Sequence, residues 1–306
     1  MPITSDLAQR PAWYTGPDTS DGLTADHYVK DWKFYLTTHK PGWLWREDTE
    51  VPLFVSHRRL AEHVHLNPAT VPWALDSGGF TEVTQFGGWR TSPQEYVAAV
   101  ARYDREIGRL EWAAPQDWMC EPAVIHGGMI DGRRIPGTGL TLAEHQRRTV
   151  ANFTELENLW SQLRESDPEM GLSPFMPVLQ GWDPEDYLRC ADLYDEAGVH
   201  LEDYPLVGLG SVCRRNTTTE LMRVLENVVP RLTPWLALHG FGMKTQGLEL
   251  GGHLMSSADS LAWSFTARRE GIVLPGHTHS HCGNCIVYAK QWRARMLAKT
   301  GMGFAA

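Results

Sequence analysis

The chain has 306 residues, room for one large domain or two small ones, and an α/β barrel of roughly 250 residues with extensions fits that length. Hydrophobic residues make up 42% and charged residues 21%, which excludes a largely disordered chain, and no apolar run approaches the ~18 residues of a membrane span. A formal charge of −9 argues against a general polyanion binder and leaves nucleic acid as a partner only through local basic patches.

The opening stretch MPITSDLAQRPAWY lacks the basic-then-apolar layout of a secretory signal, so a cytoplasmic protein without a membrane partner is expected. Five cysteines, an odd number in a long chain, argue against a disulfide framework. In chain order, β-rich apolar runs fall at 33–39, 52–57, 73–78, 110–118, 175–181, 205–212, 235–242 and 253–260. Amphipathic helix candidates lie between most of them, at 92–108, 141–165, 183–198 and 217–232. The first of these opens with a capping box, Ser92 with Glu95, and with Pro93 at its first position.

Strands that alternate with helices imply a parallel sheet, and eight of them are the number that closes a (β/α)8 TIM-type barrel. The alternative is an open doubly wound sheet, but no G-x-G-x-x-G follows the first strand. The expectation is one catalytic domain over 1–306, with the barrel at about 33–270 and a metal-binding segment at about 271–300.

Asp76, Asp117, Gln180, Ser211 and Asp259 each fall at the C-terminal end of a candidate strand, the face that carries the active site in such barrels. Asp259 has a plainer explanation as well. It precedes SLAWSFTARR, which reads as a helix, and Asp is among the best N-cap residues.

LDSGGF (75–80), VLQG (178–181), GLGS (208–211) and ADSLAW (258–263), in this order and followed by a Cys/His cluster, resemble the tRNA-guanine transglycosylase superfamily. VPLFVSHRRL, WAAPQDWMCEP, GLGSVCRR, LHGFGMKT and SADSLAWSFTARR resemble the branch found in phages and bacterial DNA-modification islands, which places 7-deazaguanine bases in DNA. The resemblance implies exchange of guanine for a preQ0-like deazaguanine at an intact backbone, through a covalent aspartyl-glycosyl intermediate.

Carried over motif by motif, the resemblance makes Asp259 the nucleophile and Asp76 the general acid/base. It sets Ser77, Asp117, Gln180 and the backbone at Gly208 and Leu209 against the base. A gapless match to the bacterial tRNA enzymes would instead put Ala262 at the nucleophile position; Asp259 is the only acid in 250–269. The chemistry suits the first assignment, because a carboxylate beside an anomeric carbon can trap an oxocarbenium-like state. Guanine's N1–H and N2–H₂ call for a carboxylate acceptor, and its O6 for a donor.

In PGHTHSHCGNC the C-x-x-C pair Cys282 and Cys285 follows three histidines, a thiolate and imidazole set that suits tetrahedral zinc. The family's usual site has three cysteines and a later histidine, whereas no histidine follows Cys285 here. The ligands expected are His279, Cys282, Cys285 and His277, with His281 as the alternative fourth. Four protein ligands would make one structural zinc per chain, pinning a terminal helix over 285–299.

Three basic pairs, Arg133–Arg134, Arg214–Arg215 and Arg268–Arg269, follow candidate strands, and Arg214, Arg215 and Arg268 are the expected phosphate contacts. DNA and a free 7-deazapurine are the expected partners. The target guanine would be flipped out or already unpaired, with helper proteins a further possibility and the oligomeric state open. Two other functions stay open at this point: base exchange on tRNA or on nucleosides, and a catalytically silent nucleic-acid-binding subunit. Retention of both Asp76 and Asp259 argues against the second.

Overall fold

The computed structural model describes residues 32–130, 132–213, 215, 217–232 and 236–300. Eight short strands carry the architecture. They are β1 (Lys33–Thr38), β2 (Leu53–Ser56), β3 (Trp73–Asp76), β4 (Leu110–Ala113), β7 (Val178–Leu179), β8 (Val207–Leu209), β9 (Leu238–Gly240) and β10 (Ser257–Ser260). They pair in parallel in the order β4-β3-β2-β1-β10-β9-β8-β7. A parallel bridge between Ala113 and Phe175, just ahead of β7, joins the two edges and curls the sheet into a TIM-like barrel. All eight expected strands are present, with shorter cores than the apolar runs that announced them.

Period-two alternation sorts the side chains. Phe34, Leu36, Leu53, Val55, Trp73, Leu75, Val207 and Leu209 face outward into the core shared with the helices. Tyr35, Phe54, Ala74, Trp112, Met176 and Val178 fill the barrel's interior, joined by Phe241. These large rings plug the barrel, so it is a packed core and the polar side chains are displaced to the strand ends.

Most connections are helical. The helices are α1 (His57–Leu60), α2 (Gly79–Phe86), α3 (Pro93–Glu106), α4 (Pro122–His126), α5 (Leu142–Ser166), α6 (Pro184–Glu196), α7 (Thr218–Leu232), α8 (Thr245–Gly251), α9 (Ala262–Arg269) and α10 (Ile286–Thr300). The capping box at Ser92 and Glu95 forms as expected. No described helix is long and apolar enough to cross a membrane.

One unit goes beyond the sequence expectation. After α4 an antiparallel hairpin, β5 (Gly128–Ile130) with β6 (Arg133–Ile135), packs Ile130 and Ile135 onto the Val83, Trp118, Met119 and Val124 cluster. Its opposite face carries exposed Met129 and Arg134, which are cross-strand partners.

Candidate active site

Asp259 lies inside β10 and does not cap α9. The N-cap residue of α9 is Leu261, and the Ala262 N–H donates to Ser260 Oγ at 3.2 Å. The Asp259 carboxylate is 2% exposed and faces the barrel mouth. Thr37 Oγ1 donates to its Oδ2 at 2.5 Å, and the Gly242 N–H donates to Oδ1 at 2.7 Å. His239 Nε2 lies 3.3 Å from the same Oδ1, while His239 Nδ1 lies 2.8 Å from Ser257 Oγ. A carboxylate only accepts, so Nε2 carries the hydrogen and Nδ1 accepts the Ser257 hydroxyl in the neutral ring.

His239 is fully buried among Trp112 and Phe241, with ring centroids 4.6 and 4.8 Å away. Thr37, His239 and the Gly242 N–H thus fix the orientation of Asp259. None was singled out from sequence. A histidine inside the apolar run LALHGF, inward-facing by strand alternation, was the one available signal.

Asp76 ends β3, and LDSGGF shows why the glycines follow it. Gly78 turns the chain with φ +82, and its N–H donates to Asp76 Oδ1 at 3.0 Å. A Cβ on Gly79 would come within 2.8 Å of the Trp89 ring and 3.2 Å of Asp117 Oδ1, so this glycine keeps the space beside Asp117 open. Burial raises the Asp76 pKa above the ordinary carboxylate value, against bonds from the Gly78 N–H and the Ser56 hydroxyl, and the Asp259 charge adds to the rise. Ser77, the next residue along, is buried.

Asp117 and Gln180 meet at the next strand ends. Gln180 Nε2 donates to Asp117 Oδ2 at 2.5 Å, and Gln180 itself is fully buried. Burial pushes the Asp117 carboxyl up to about 7; the Asp76 and Glu121 charges add to this, and the Gln180 bond opposes it. Ser211 completes the layer from the β8 side. Its Oγ lies 2.7 Å from Gln180 Oε1 and 2.8 Å from Glu121 Oε2, and it accepts the Cys120 N–H at 2.8 Å. Ser211 holds these contacts at φ +55, a left-handed backbone unusual for a residue with a side chain and the kind of strain that collects at functional sites. Asp76, Asp117, Gln180, Ser211 and Asp259 therefore share one mouth.

The other expected contacts are placed as follows. Gly208 and Leu209 lie within β8, and their backbone takes part in the strand ladder, the Gly208 N–H donating to Pro177 O at 2.8 Å. A Cβ on Gly208 would strike the Phe241 ring at 2.5 Å, so this glycine admits the ring into the barrel interior. Arg215 is buried. Its guanidinium lies 4.4 Å over the Trp182 ring and donates to Trp182 O at 2.5 Å and to Tyr187 Oη at 3.2 Å. Arg268 is exposed on α9 and donates to Asn284 Oδ1 at 3.1 Å. Arg214 lies outside the described residues.

His145, near the start of α5, is buried. It links the Met119 carbonyl (2.6 Å) to the Thr138 hydroxyl (2.7 Å), tying together the loops before and after the hairpin. Cys190 is buried in α6, and burial pushes its thiol up to about 12, far from a reactive thiolate.

Beyond the barrel, one ligand atom each of His277, His279, Cys282 and Cys285 falls within 4.8 Å of the others. The edges of a tetrahedron of zinc–sulfur and zinc–nitrogen bonds are roughly 3.3–3.8 Å. His279 Nε2 to Cys282 Sγ is 3.1 Å and His277 Nδ1 to Cys285 Sγ is 3.6 Å, so the set closes to about that size. His281 stands apart, its Nδ1 accepting the Gly283 N–H at 3.1 Å. The four residues form a His₂Cys₂ set able to hold a metal such as zinc.

A family model described as DpdA, DeoxyPurine in DNA protein A, matches residues 30–303. No curated protein matches the chain significantly. Because the match takes in every strand of the barrel and the Cys/His cluster, the chain belongs to the DpdA family, the tRNA-guanine-transglycosylase-related branch that acts on DNA.

Proposed function

We propose that the protein is a DNA-guanine transglycosylase that exchanges guanine for a 7-deazaguanine base through two displacements at C1′. The observation that carries this is the buried Asp259 carboxylate, aimed into the mouth by Thr37, Gly242 and His239, within reach of the charge of a second acid whose pKa is raised.

In the first displacement a carboxylate oxygen of Asp259 bonds to C1′. The C1′–N9 bond breaks with its electron pair on the leaving guanine, and protonated Asp76 donates a proton to that base. In the second, the incoming deazaguanine gives its N9 proton to Asp76 and N9 attacks C1′. The Asp259–C1′ ester bond then breaks and regenerates the carboxylate. Two displacements at one carbon retain its configuration. An acid with a raised pKa suits a group that must hold the proton between the two steps.

Guanine and 7-deazaguanine present the same Watson–Crick face, so one pocket serves both. Asp117 supplies the acceptor for N1–H and N2–H₂. The second hydrogen on Gln180 Nε2 is the donor for O6, with Ser77 lining the same space. The His₂Cys₂ set holds one structural zinc, which offers no open coordination position when all four ligands are bound and secures the segment leading into α10.

Incubation with labelled guanine and either DNA or tRNA tests the reading. Label entering DNA, and not tRNA, is the expected result. Label entering tRNA alone would replace the substrate assignment.

A further inference from the structure

The chain leaving β1 turns at His39 and Lys40 and forms one wall of a cavity of about 450 Å³ on the mouth side of the barrel. His39, Lys40 and Arg46 line it from this turn, and Arg59, Glu62 and His63 line it from α1 and the residues after it. Burial lowers the His39 pKa, and the charges of Arg59, Arg268 and Lys40 lower it further.

The cations outnumber the acids. Arg46 is paired with Asp48 at 2.6 Å, and Arg59 lies 3.4 Å from Glu62. Lys40 has no carboxylate partner among the described residues. Lys40, Arg46 and Arg59 thus line the cavity beside one lining carboxylate, Glu62, and the unpaired Lys40 is exposed.

This cavity is fixed rigidly to the catalytic acids. His39 lies two residues beyond Thr37, whose hydroxyl holds Asp259. Trp43 of the cavity wall stacks on Trp263 with centroids 5.6 Å apart, and Trp263 Nε1 donates to Thr37 O at 3.0 Å. On the other side Arg58, next to Arg59, pairs with Glu82 at 2.6 Å, and its methylenes cover Gly78 in the Asp76 turn. A cationic cavity locked to both elements is placed for an anion attached to the nucleotide undergoing reaction. The anions fixed nearest C1′ of a nucleotide in a strand are its own flanking phosphates.

We infer that this cavity binds a backbone phosphate flanking the target nucleotide, with Lys40 and Arg59 as its cationic ligands. The inference rests on the DNA reading above. It supplies the positioning contact that the buried Arg215 does not offer, and it explains how a chain of net charge −9 engages a polyanion locally.

The test measures binding of the full chain to a single-stranded oligonucleotide with one guanine, across a salt series. Each linkage flanking that guanine is replaced in turn by a neutral methylphosphonate. Wild type should lose affinity at one of these linkages. The Lys40→Gln/Arg59→Gln variant should already be weakened and should lose nothing more there, and its log K against log salt slope should be shallower by about 0.7. Exposed Lys40→Gln alone, with unchanged melting temperature and metal content, should show the same trend and guards against misfolding of the double variant.

Wild type that exchanges labelled guanine, alongside a double variant as sensitive as wild type at every flanking linkage, would overturn this inference and leave the proposed function standing. A wild type that neither binds nor exchanges DNA would overturn both. Saturable binding of GMP that the double variant loses, with no coupling to any linkage, would reassign the cavity to a free nucleotide and overturn the phosphate contact.

Discussion

Thr37 Oγ1 on β1 lies 2.5 Å from Asp259 Oδ2 on β10, so the acid is gripped across the seam where the first and last strands of the barrel pair. A hydrogen bond to a charged group contributes roughly 1.5–3 kcal/mol. Thr37→Val keeps the shape and removes the donor, and should slow exchange by about 10- to 100-fold. The KM for DNA should stay near wild type, because Thr37 orients the carboxylate and does not contact the strand. Steady-state kinetics on a guanine-containing oligonucleotide checks this, and a rise in KM with kcat unchanged would contradict it.

Asp76→Asn should behave differently from loss of the nucleophile. Removing general acid/base help typically costs about 10²–10⁴-fold. The variant should therefore retain slow exchange and should still form the covalent intermediate. Its rate should also lose the pH dependence that proton transfer imposes on wild type. Single-turnover rates between pH 5 and 9 make the comparison.

The raised Asp117 pKa ties base binding to pH. The ionised carboxylate is the acceptor for N1–H, so the KM for the incoming base should climb as pH falls below about 7. Stability carries the opposite sign. Between the ordinary carboxylate pKa near 3.9 and the folded value near 7 the native state holds the extra proton, so this group's contribution to stability falls as pH rises through that window and is level above it. Asp117→Asn removes the effect, and its melting temperature relative to wild type should improve from pH 4 to pH 8. A constant difference across that range would refute the assignment.

Metal content is directly measurable. Elemental analysis should find one zinc per chain, and Cys282→Ser should lower the melting temperature by at least about 5 °C, since a structural site contributes folding energy. His281→Ala should leave metal content unchanged, because that ring accepts the Gly283 N–H outside the cluster. Protein purified with no bound metal would count decisively against the site.

The barrel was legible because parallel strands buried on both faces read as nearly continuous apolar runs, such as PLFVSH around β2, and because helix starts such as Ser92 to Glu95 carry their own capping chemistry. Strand ends exposed Asp76, Asp117, Gln180 and Asp259 in the same way. What escaped depends on contacts between residues far apart in the chain. Thr37 is one of two adjacent threonines until β10 brings Asp259 beside it, 222 positions away. Arg215 reads as a phosphate contact in a basic pair, and only the fold buries it against Trp182 and Tyr187. The β5–β6 hairpin has three-residue strands, GMI and RRI, too short and too polar in the second for a periodic signal.

The central claim is that Asp259 forms a covalent bond to the DNA sugar, and trapping that bond tests it most directly. Wild-type protein incubated with a guanine-containing oligonucleotide and quenched in denaturant should give a protein–DNA band that survives denaturation. Asp259→Asn should give none and should show no exchange, with its melting temperature and zinc content unchanged. Near-normal exchange by Asp259→Asn would contradict the account.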